Sequence, residues 1–539
     1  MKNKSMPNPK RRKKFKTNNI SLTIQNKHLF MKDMSRRSFL KAGTAATAAL
    51  AMAPVDVLGK AKAKKNVPTG KIKLLGVGVG GRGHADINAV TYKGKDEIYD
   101  DIEFIGMCDV DQKYAKGVLE EYKRLFPNMK VYNDYRKMYA ELLDQADAVI
   151  CGTADHTHAI ICAEALAAGK HVYCEKPLTR TVYESRLLTK LAAKAGVATQ
   201  MGNQGSSGEG VNLTCEWIWN GEIGEVTRVD AFTDRPIWPQ GLERPEEVHE
   251  IPSTLNWDAF IGPAPKRPYN SIYHPWNFRG WWDFGTGALG DMACHILHPV
   301  FKALDLGYPI HAEGSSTPLM SDCCPSAQVV KLTYPARPNR PKVAMPEVVV
   351  TWSDGGIIPF RPEGLAIGKD LNVSGGGAIF YGTKDILVVG CYGERPYLVS
   401  GRVPDAPKVC RRVPGGPGGH QRDWIRAIKE IREGKKDWTR TASDFSEAGP
   451  FNEMVAMGVV ATRLQGLNQV LDWDGENMRF TNIPEKATVR AMLKDGFSIH
   501  DGHPTFNKTY TEPVNAREFA AELIKPKYQN GYVLPELPA

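Results

Sequence analysis

The chain of 539 residues is 42% hydrophobic, 24% charged and 9% aromatic, values that exclude a disordered chain and give length enough for two or three domains. Its formal charge of +10 is unevenly placed: residues 1–70 hold 17 Lys+Arg and 2 Asp+Glu, whereas the other 469 hold 53 and 58. The basicity belongs to the leader, and the slightly acidic remainder lacks the cationic face that a nucleic-acid partner needs.

Residues 1–33 read as a polar, lysine-rich extension and 34–66 as a signal peptide. Ser35-Arg36-Arg37-Ser38-Phe39-Leu40-Lys41 precedes an alanine-rich apolar run from Ala42 to Ala53, and small residues near Ala53 and Ala63 offer cleavage sites. The run is too short to span a bilayer, which takes roughly twenty residues. Paired arginines followed by Phe-Leu-Lys fit the twin-arginine signal. This predicts a periplasmic or otherwise exported protein that meets the twin-arginine export machinery already folded. A disordered basic tail would leave the apolar run unexplained. The ten cysteines show no Cys-x-x-Cys spacing. Cys108, Cys151, Cys162 and Cys174 fall in apolar segments and Cys323-Cys324 in a loop, so free thiols are expected rather than a disulfide framework.

A nucleotide-binding domain is read over 70–200. Ile72–Val77 forms a predicted strand, followed at once by Gly78-Val79-Gly80-Gly81-Arg82-Gly83, a G-x-G-x-x-G turn that opens a helix. Gly78 permits the tight turn, Gly80 lets backbone approach a pyrophosphate, and Gly83 lets helix pack on strand, with the helix N-terminus toward the phosphates. A second strand ends at Asp109, which can accept hydrogen bonds from the adenosine ribose and repel a 2′-phosphate, favouring NAD over NADP. Helical stretches at 112–125, 135–144, 157–168 and 182–195 alternate with apolar runs at 146–151, 171–174 and 197–200. That alternation predicts α/β architecture with a doubly wound parallel (Rossmann) sheet. Ligands of such sheets lie beyond the carboxyl ends of the strands. The chain places Thr153, Asp155, His156 and His158 there, then Glu175 and Lys176, then Asn203. His156 and His158 have no third ligand in view, so no metal is expected, and they are read as cofactor-side or capping residues.

These elements resemble the Gfo/Idh/MocA oxidoreductases, the family named after glucose–fructose oxidoreductase and inositol 2-dehydrogenase. The resemblance rests on the turn at 78–83, Asp109, Thr153 to His158 and Glu175-Lys176-Pro177. It rests also on Gly285-Thr286-Gly287-Ala288-Leu289-Gly290-Asp291-Met292-Ala293-Cys294-His295, and it spans roughly 70 to 300. It implies that an α/β domain with a large, mostly antiparallel open sheet occupies 201–483 and carries the substrate pocket and oligomer contacts. It also implies a catalytic Lys, Asp and His at Lys176, Asp291 and His295, and a homo-oligomer. Residues 484–539, with Pro513, Pro526, Pro535 and Pro538 among their prolines, read as a C-terminal arm.

Oxidising an alcohol needs a hydride delivered to the nicotinamide and a proton taken from the hydroxyl; the protein provides the second. Asp291 and His295 are four apart on a predicted helix and share a face. His295 can act as general base, Asp291 can orient it or a sugar hydroxyl, and Lys176 can polarise the reacting oxygen. Seven of the eleven tryptophans lie between Trp217 and Trp282. Arg235, Trp238, Arg279, Trp282 and Asp283, with His298 as a further candidate, are expected to form a sugar subsite of ring faces and charged groups. Met201–Gly208 is glycine-rich where many relatives carry an Arg-containing stretch, which points to a different substrate orientation. The expected protein is an exported oxidoreductase acting on a sugar or glycoside with tightly bound NAD. The alternatives are an NAD-dependent glycosidase of the same superfamily, which oxidises, eliminates, hydrates and reduces on one cofactor, and a non-catalytic cofactor-binding protein.

Overall fold

The computed structural model describes residues 70–95, 97–340 and 343–538; the extension and the signal region lie outside the described residues. Six parallel strands form the first sheet: β1 (Ile72–Val77), β2 (Ile102–Cys108), β3 (Lys130–Tyr132), β4 (Ala148–Cys151), β5 (His171–Cys174) and β6 (Thr199–Met201). Their order, β3-β2-β1-β4-β5-β6, is that of a doubly wound nucleotide-binding fold. Four of the strands are fully or nearly fully buried, as strands covered on both faces must be, and β1 and β4 are chiefly apolar runs. β3 escapes a pattern search because it is three residues at the sheet edge, two of them exposed. Asp109 follows β2 directly, and the glycine turn leads from β1 into the helix Gly81–Thr91.

One face of this sheet is covered by a helix from far along the chain, His420–Arg432. Its Trp424, Ile425 and Ile428 join a core with Phe104, Met107 and Tyr173. The Trp424 indole is fully buried and donates to the Ala198 carbonyl at 3.1 Å.

The second sheet is built from β7 (Val226–Thr233), β8 (His311–Ser316), β9 (Gln328–Tyr334), β12 (Val348–Ser353), β13 (Gly376–Gly382), β14 (Ile386–Gly390), β15 (Tyr397–Leu398), β16 (Leu471–Asp474) and β17 (Arg479–Phe480); β10 (Arg337–Arg340) and β11 (Val343–Met345) form a separate hairpin. The order is β15-β14-β13-β7-β12-β9-β8-β16-β17, and every pairing is antiparallel except β7 with β12. The helix Gly287–Ile296 and the long helix Phe445–Arg463 pack against this sheet.

The long helix also reaches back to the nucleotide-binding domain. Arg186 meets Glu453 in a bidentate pair at 2.7 and 2.6 Å. Asn452, fully buried, accepts from the Leu178 N–H at 3.2 Å and donates to the Thr179 carbonyl at 2.9 Å and to Ser185 Oγ at 2.8 Å. The loop after Lys176 is thereby fastened to the second domain. The arm lies along both. Tyr528 donates to Glu184 at 2.7 Å, and Asn530 donates to the carbonyls of Gly262 and Ala264, both at 2.8 Å.

Trp424→Ala should therefore lower unfolding free energy by about 3–5 kcal/mol, the cost of emptying a large buried site. Urea denaturation measures it; a loss under about 1 kcal/mol would mean the helix is only loosely docked.

Candidate active site

The carboxyl ends of β1, β2, β4 and β5 open onto a cleft of about 1000 Å3. The glycine turn forms one side. Gly78 has φ +72°, and a Cβ there would stand 2.6 Å from the Gly152 carbonyl carbon; one at Gly83 would stand 1.9 Å from Gly78 O. Both positions therefore require glycine, and the turn lies flat against the β4 loop. Asp109 accepts from the Gly80 N–H at 2.9 Å and from the Asp111 N–H at 3.0 Å. Burial pushes its carboxyl up to about 6, against the pull of those N–H groups. Tyr114 lies along the turn, where a Cβ on Gly80 would meet its ring at 2.5 Å. Arg82 faces the same cleft, held by Glu175 at 3.2 Å and Asp86 at 3.0 Å. A glycine cradle, an acid at the end of β2 and a fixed cation at the helix start fit a dinucleotide. Val79 contributes backbone only; its side chain is buried in the sheet core.

At the other end of the cleft three charges meet. Lys176 Nζ lies 2.7 Å from Asp291 Oδ1, and Arg279 Nε donates to the same oxygen at 2.8 Å. Burial alone would raise the Asp291 carboxyl, but Lys176 and Arg279 hold it far below the usual carboxylate range. Asp291 and His295 stand on the helix Gly287–Ile296, one turn apart. Burial, reinforced by the Lys176 charge, pulls His295 down to about 3, so the imidazole is neutral at working pH. Its Nδ1 has no partner among the described residues. Tyr392 packs edge-on against this ring, with centroids 4.9 Å apart. Asp155, pushed up to about 6 by burial, lines the cleft beside the cluster.

The structure thus brings together Lys176, Asp291, His295 and Arg279, and lines the cleft with Gly78, Gly80, Gly81, Arg82, Asp109, Thr153, His156 and Glu175. It uses the two neighbouring histidines as braces. His156 Nε2 meets the Phe260 carbonyl at 2.8 Å, and His158 bridges the carbonyls of Pro177 at 2.8 Å and Thr153 at 3.1 Å. Asn203 donates to Cys294 O at 3.2 Å, which places it against the Asp291–His295 helix. Arg235 pairs with Asp234, and its charge is felt at Tyr392.

The remaining residues of the expected sugar subsite lie elsewhere. Trp238 is buried and donates to Gln240 at 2.8 Å; Trp282 is buried and donates to Met320 O at 3.2 Å; Asp283 pairs with Arg267. His298 meets Glu447 at 2.8 Å and packs on Phe451, behind the helix that carries His295. Their polar ends are already engaged within the fold. Asp155 lines the cleft as its place after β4 implied, whereas Tyr114, Trp276 and Tyr392 lie at the site without having been assigned from sequence. Tyr392 has no local signal, because only the β14–β15 turn carries it to His295. Cys151, Cys162 and Cys174 are buried with sulfurs within 4.8 Å of one another.

Such a site defines a dinucleotide-binding α/β protein with a polar, proton-handling end. Comparison with known proteins agrees. Residues 72–203 match the oxidoreductase family's NAD-binding Rossmann fold, and 222–337 match that family's C-terminal alpha/beta domain, both of the Gfo/Idh/MocA type. The chain belongs to the Gfo/Idh/MocA oxidoreductase family. Residues 33–53 match the twin-arginine translocation signal sequence, which addresses the protein to export. Among curated relatives, inositol 2-dehydrogenase of Salmonella paratyphi B is 28% identical over 181 residues, 33% of this chain and 50% of that protein. Glycosyl hydrolase family 109 protein 1 of Shewanella sp. is 27% identical over 217 residues, 37% of this chain and 46% of that protein. The chain spans about half or less of the length of the curated relatives it matches. The WlbA dehydrogenase of Chromobacterium violaceum, solved with NADH and UDP-GlcNAcA, shares the fold with a TM-score of 0.51 at 17% identity, covering 75% of this chain and 96% of that one.

Because burial sets the Asp109 carboxyl near 6, it is ionised above that pH and gains a proton below it. NAD affinity, measured by titrating protein stripped of cofactor, should fall as pH drops through about 6. Asp109→Ser should flatten this dependence and narrow the preference for NAD over NADP. Equal affinity at pH 5 and 7.5 in the unaltered protein would remove Asp109 from the site.

Proposed function

We propose that the protein is an exported NAD-dependent oxidoreductase acting on a hydroxyl or keto carbon of a sugar or glycoside, with Lys176, Asp291 and His295 managing the proton. The observation that carries this reading is the placement of a neutral, unpartnered histidine beside an ionised carboxylate and two cations, at the end of a dinucleotide cleft. Gly78 to Gly83 and Asp109 would hold the cofactor, which when bound supplies a hydride acceptor or donor. His295 is the group placed to take the proton of a substrate hydroxyl; held down at about 3 it is a weak base, so the transfer leans on the cations that stabilise the developing alkoxide. Lys176 and Arg279 lower the energy of negative charge developing on the reacting oxygen, in a site where little water screens them. Asp291 keeps both cations at fixed positions and completes the polar end of the pocket.

A second reading has its own support. The phenol of Tyr392 against His295 offers a second proton carrier, which elimination and rehydration of a glycoside require, and glycosyl hydrolase family 109 proteins are among the relatives. Release of phenol from aryl glycosides without net nicotinamide reduction would select it over simple oxidation.

Lys176→Met and His295→Ala should each lower turnover by about 10²-fold or more, the usual worth of acid–base help, while still binding NAD. Turnover near that of the unaltered protein in either variant would refute the assignment.

Retention of the cofactor follows from export. A dinucleotide released outside the cytoplasm would be diluted away, so the protein must leave loaded and stay loaded, and a second half-reaction must restore the cofactor. Denaturing the purified mature protein should release close to one NAD(H) per chain. Full activity restored to a dialysed apoprotein by millimolar NAD, with simple saturation, would overturn retention.

A further inference from the structure

A second cavity, of about 880 Å3, lies beneath the C-terminal arm and shares no lining residue with the cofactor cleft. Its walls come from Arg180, four residues past Lys176; from Trp282, Asp283 and Thr286 at the entry to the Asp291–His295 helix; and from the end of the long helix at Arg463. The arm closes it with Phe519 and Tyr528.

The charges in this cavity are not settled within the protein. The Arg463 guanidinium lies over the rings of Trp282 and Phe519, 5.1 and 5.0 Å from their centroids. Among the described residues, none accepts a hydrogen bond from it or forms an ion pair with it. Burial pulls it down to about 10, so it stays charged at neutral pH. Arg180 donates one N–H to the Trp282 carbonyl at 2.5 Å, and its buried Nε has no partner. The Thr286 hydroxyl is unpartnered as well, in a residue 4% exposed. Both lining carboxylates act on Arg463 only through space: Asp283, already paired with Arg267, and the exposed Glu522. A guanidinium held over ring faces keeps N–H groups for a partner, and they match the paired oxygens of a carboxylate or phosphate.

We propose that this cavity is a binding site for a small organic molecule carrying a carboxylate or phosphate group, held by Arg463 and Arg180. The ligand would join the segment after Lys176 to the entry of the helix bearing Asp291 and His295, and so couple the arm to the catalytic cluster.

The protein as isolated is titrated calorimetrically with glucose 6-phosphate and with D-glucuronate, and with glucose as the neutral control. Saturable binding of one anion is expected, and the tighter of the two names the class. Hydrogen exchange should slow over 283–290, 456–463 and 516–530. Arg463→Met should weaken binding about tenfold or more, as loss of a charge-assisted bidentate contact does, with Arg463→Lys intermediate. The proposal is overturned if neither anion binds, if glucose binds equally, or if protection appears over 78–83 instead. Unchanged affinity in folded Arg463→Met would overturn it too. Should that variant not fold, Arg463→Lys and the exchange map of the unaltered protein decide.

Discussion

The site depends on one carboxylate. Asp291, from the second domain, is shared by Lys176 at the end of the nucleotide-binding sheet and by Arg279 from the segment before its own helix. Three buried charges are costly to bring out of water, and removing Asp291 would leave two cations uncompensated. The same arithmetic suits the proposed chemistry. The cluster carries one net positive charge, and a hydroxyl losing its proton beside it develops a negative one. His295 adds no charge of its own, because burial and Lys176 keep it neutral.

What keeps Lys176 in reach of Asp291 is a set of contacts around its loop. Asn452 grips the backbone of Leu178 and Thr179, and His158 ties Pro177 to the β4 loop. Arg186 and Glu453 lock the helices on either side. The long helix Phe445–Arg463 therefore acts as the beam between domains. It packs on the second sheet, braces the loop that presents Lys176, and ends at Arg463 in the arm cavity.

Much of the fold was legible in the sequence, because its signals are local. The parallel sheet follows from apolar runs alternating with helical stretches, and Gly78 to Gly83 and Asp109 from their spacing around β1 and β2. Asp291 and His295 are legible because four residues make one helical turn. The edge strand β3 was not, being short and polar. The sugar subsite was the weakest inference. Clustering of Trp and Arg along the chain says nothing of where their polar edges end up, and Trp238, Trp282 and Asp283 find partners inside the fold. Tyr392 and Tyr114 had the opposite fate. Each is brought to the site only by tertiary packing, one by a turn between distant strands and the other by lying across the glycine turn.

The two cavities settle their charges differently, and the difference carries information. In the cofactor cleft Lys176, Arg279 and Asp291 satisfy one another directly. Beneath the arm, the part-exposed Arg463 guanidinium has no hydrogen-bond acceptor among the described residues, and Asp283 and Glu522 act on it only through their fields. The arm is held in place by Tyr528, Asn530 and a backbone bond from Gln529 to Pro263. Packing of Phe519 and its neighbours would suffice to attach an arm. It does not require two arginines with free donors underneath. An apolar residue at 463 would close the same space without leaving a donor unmet, so the guanidinium there is better explained by something it binds than by the packing around it.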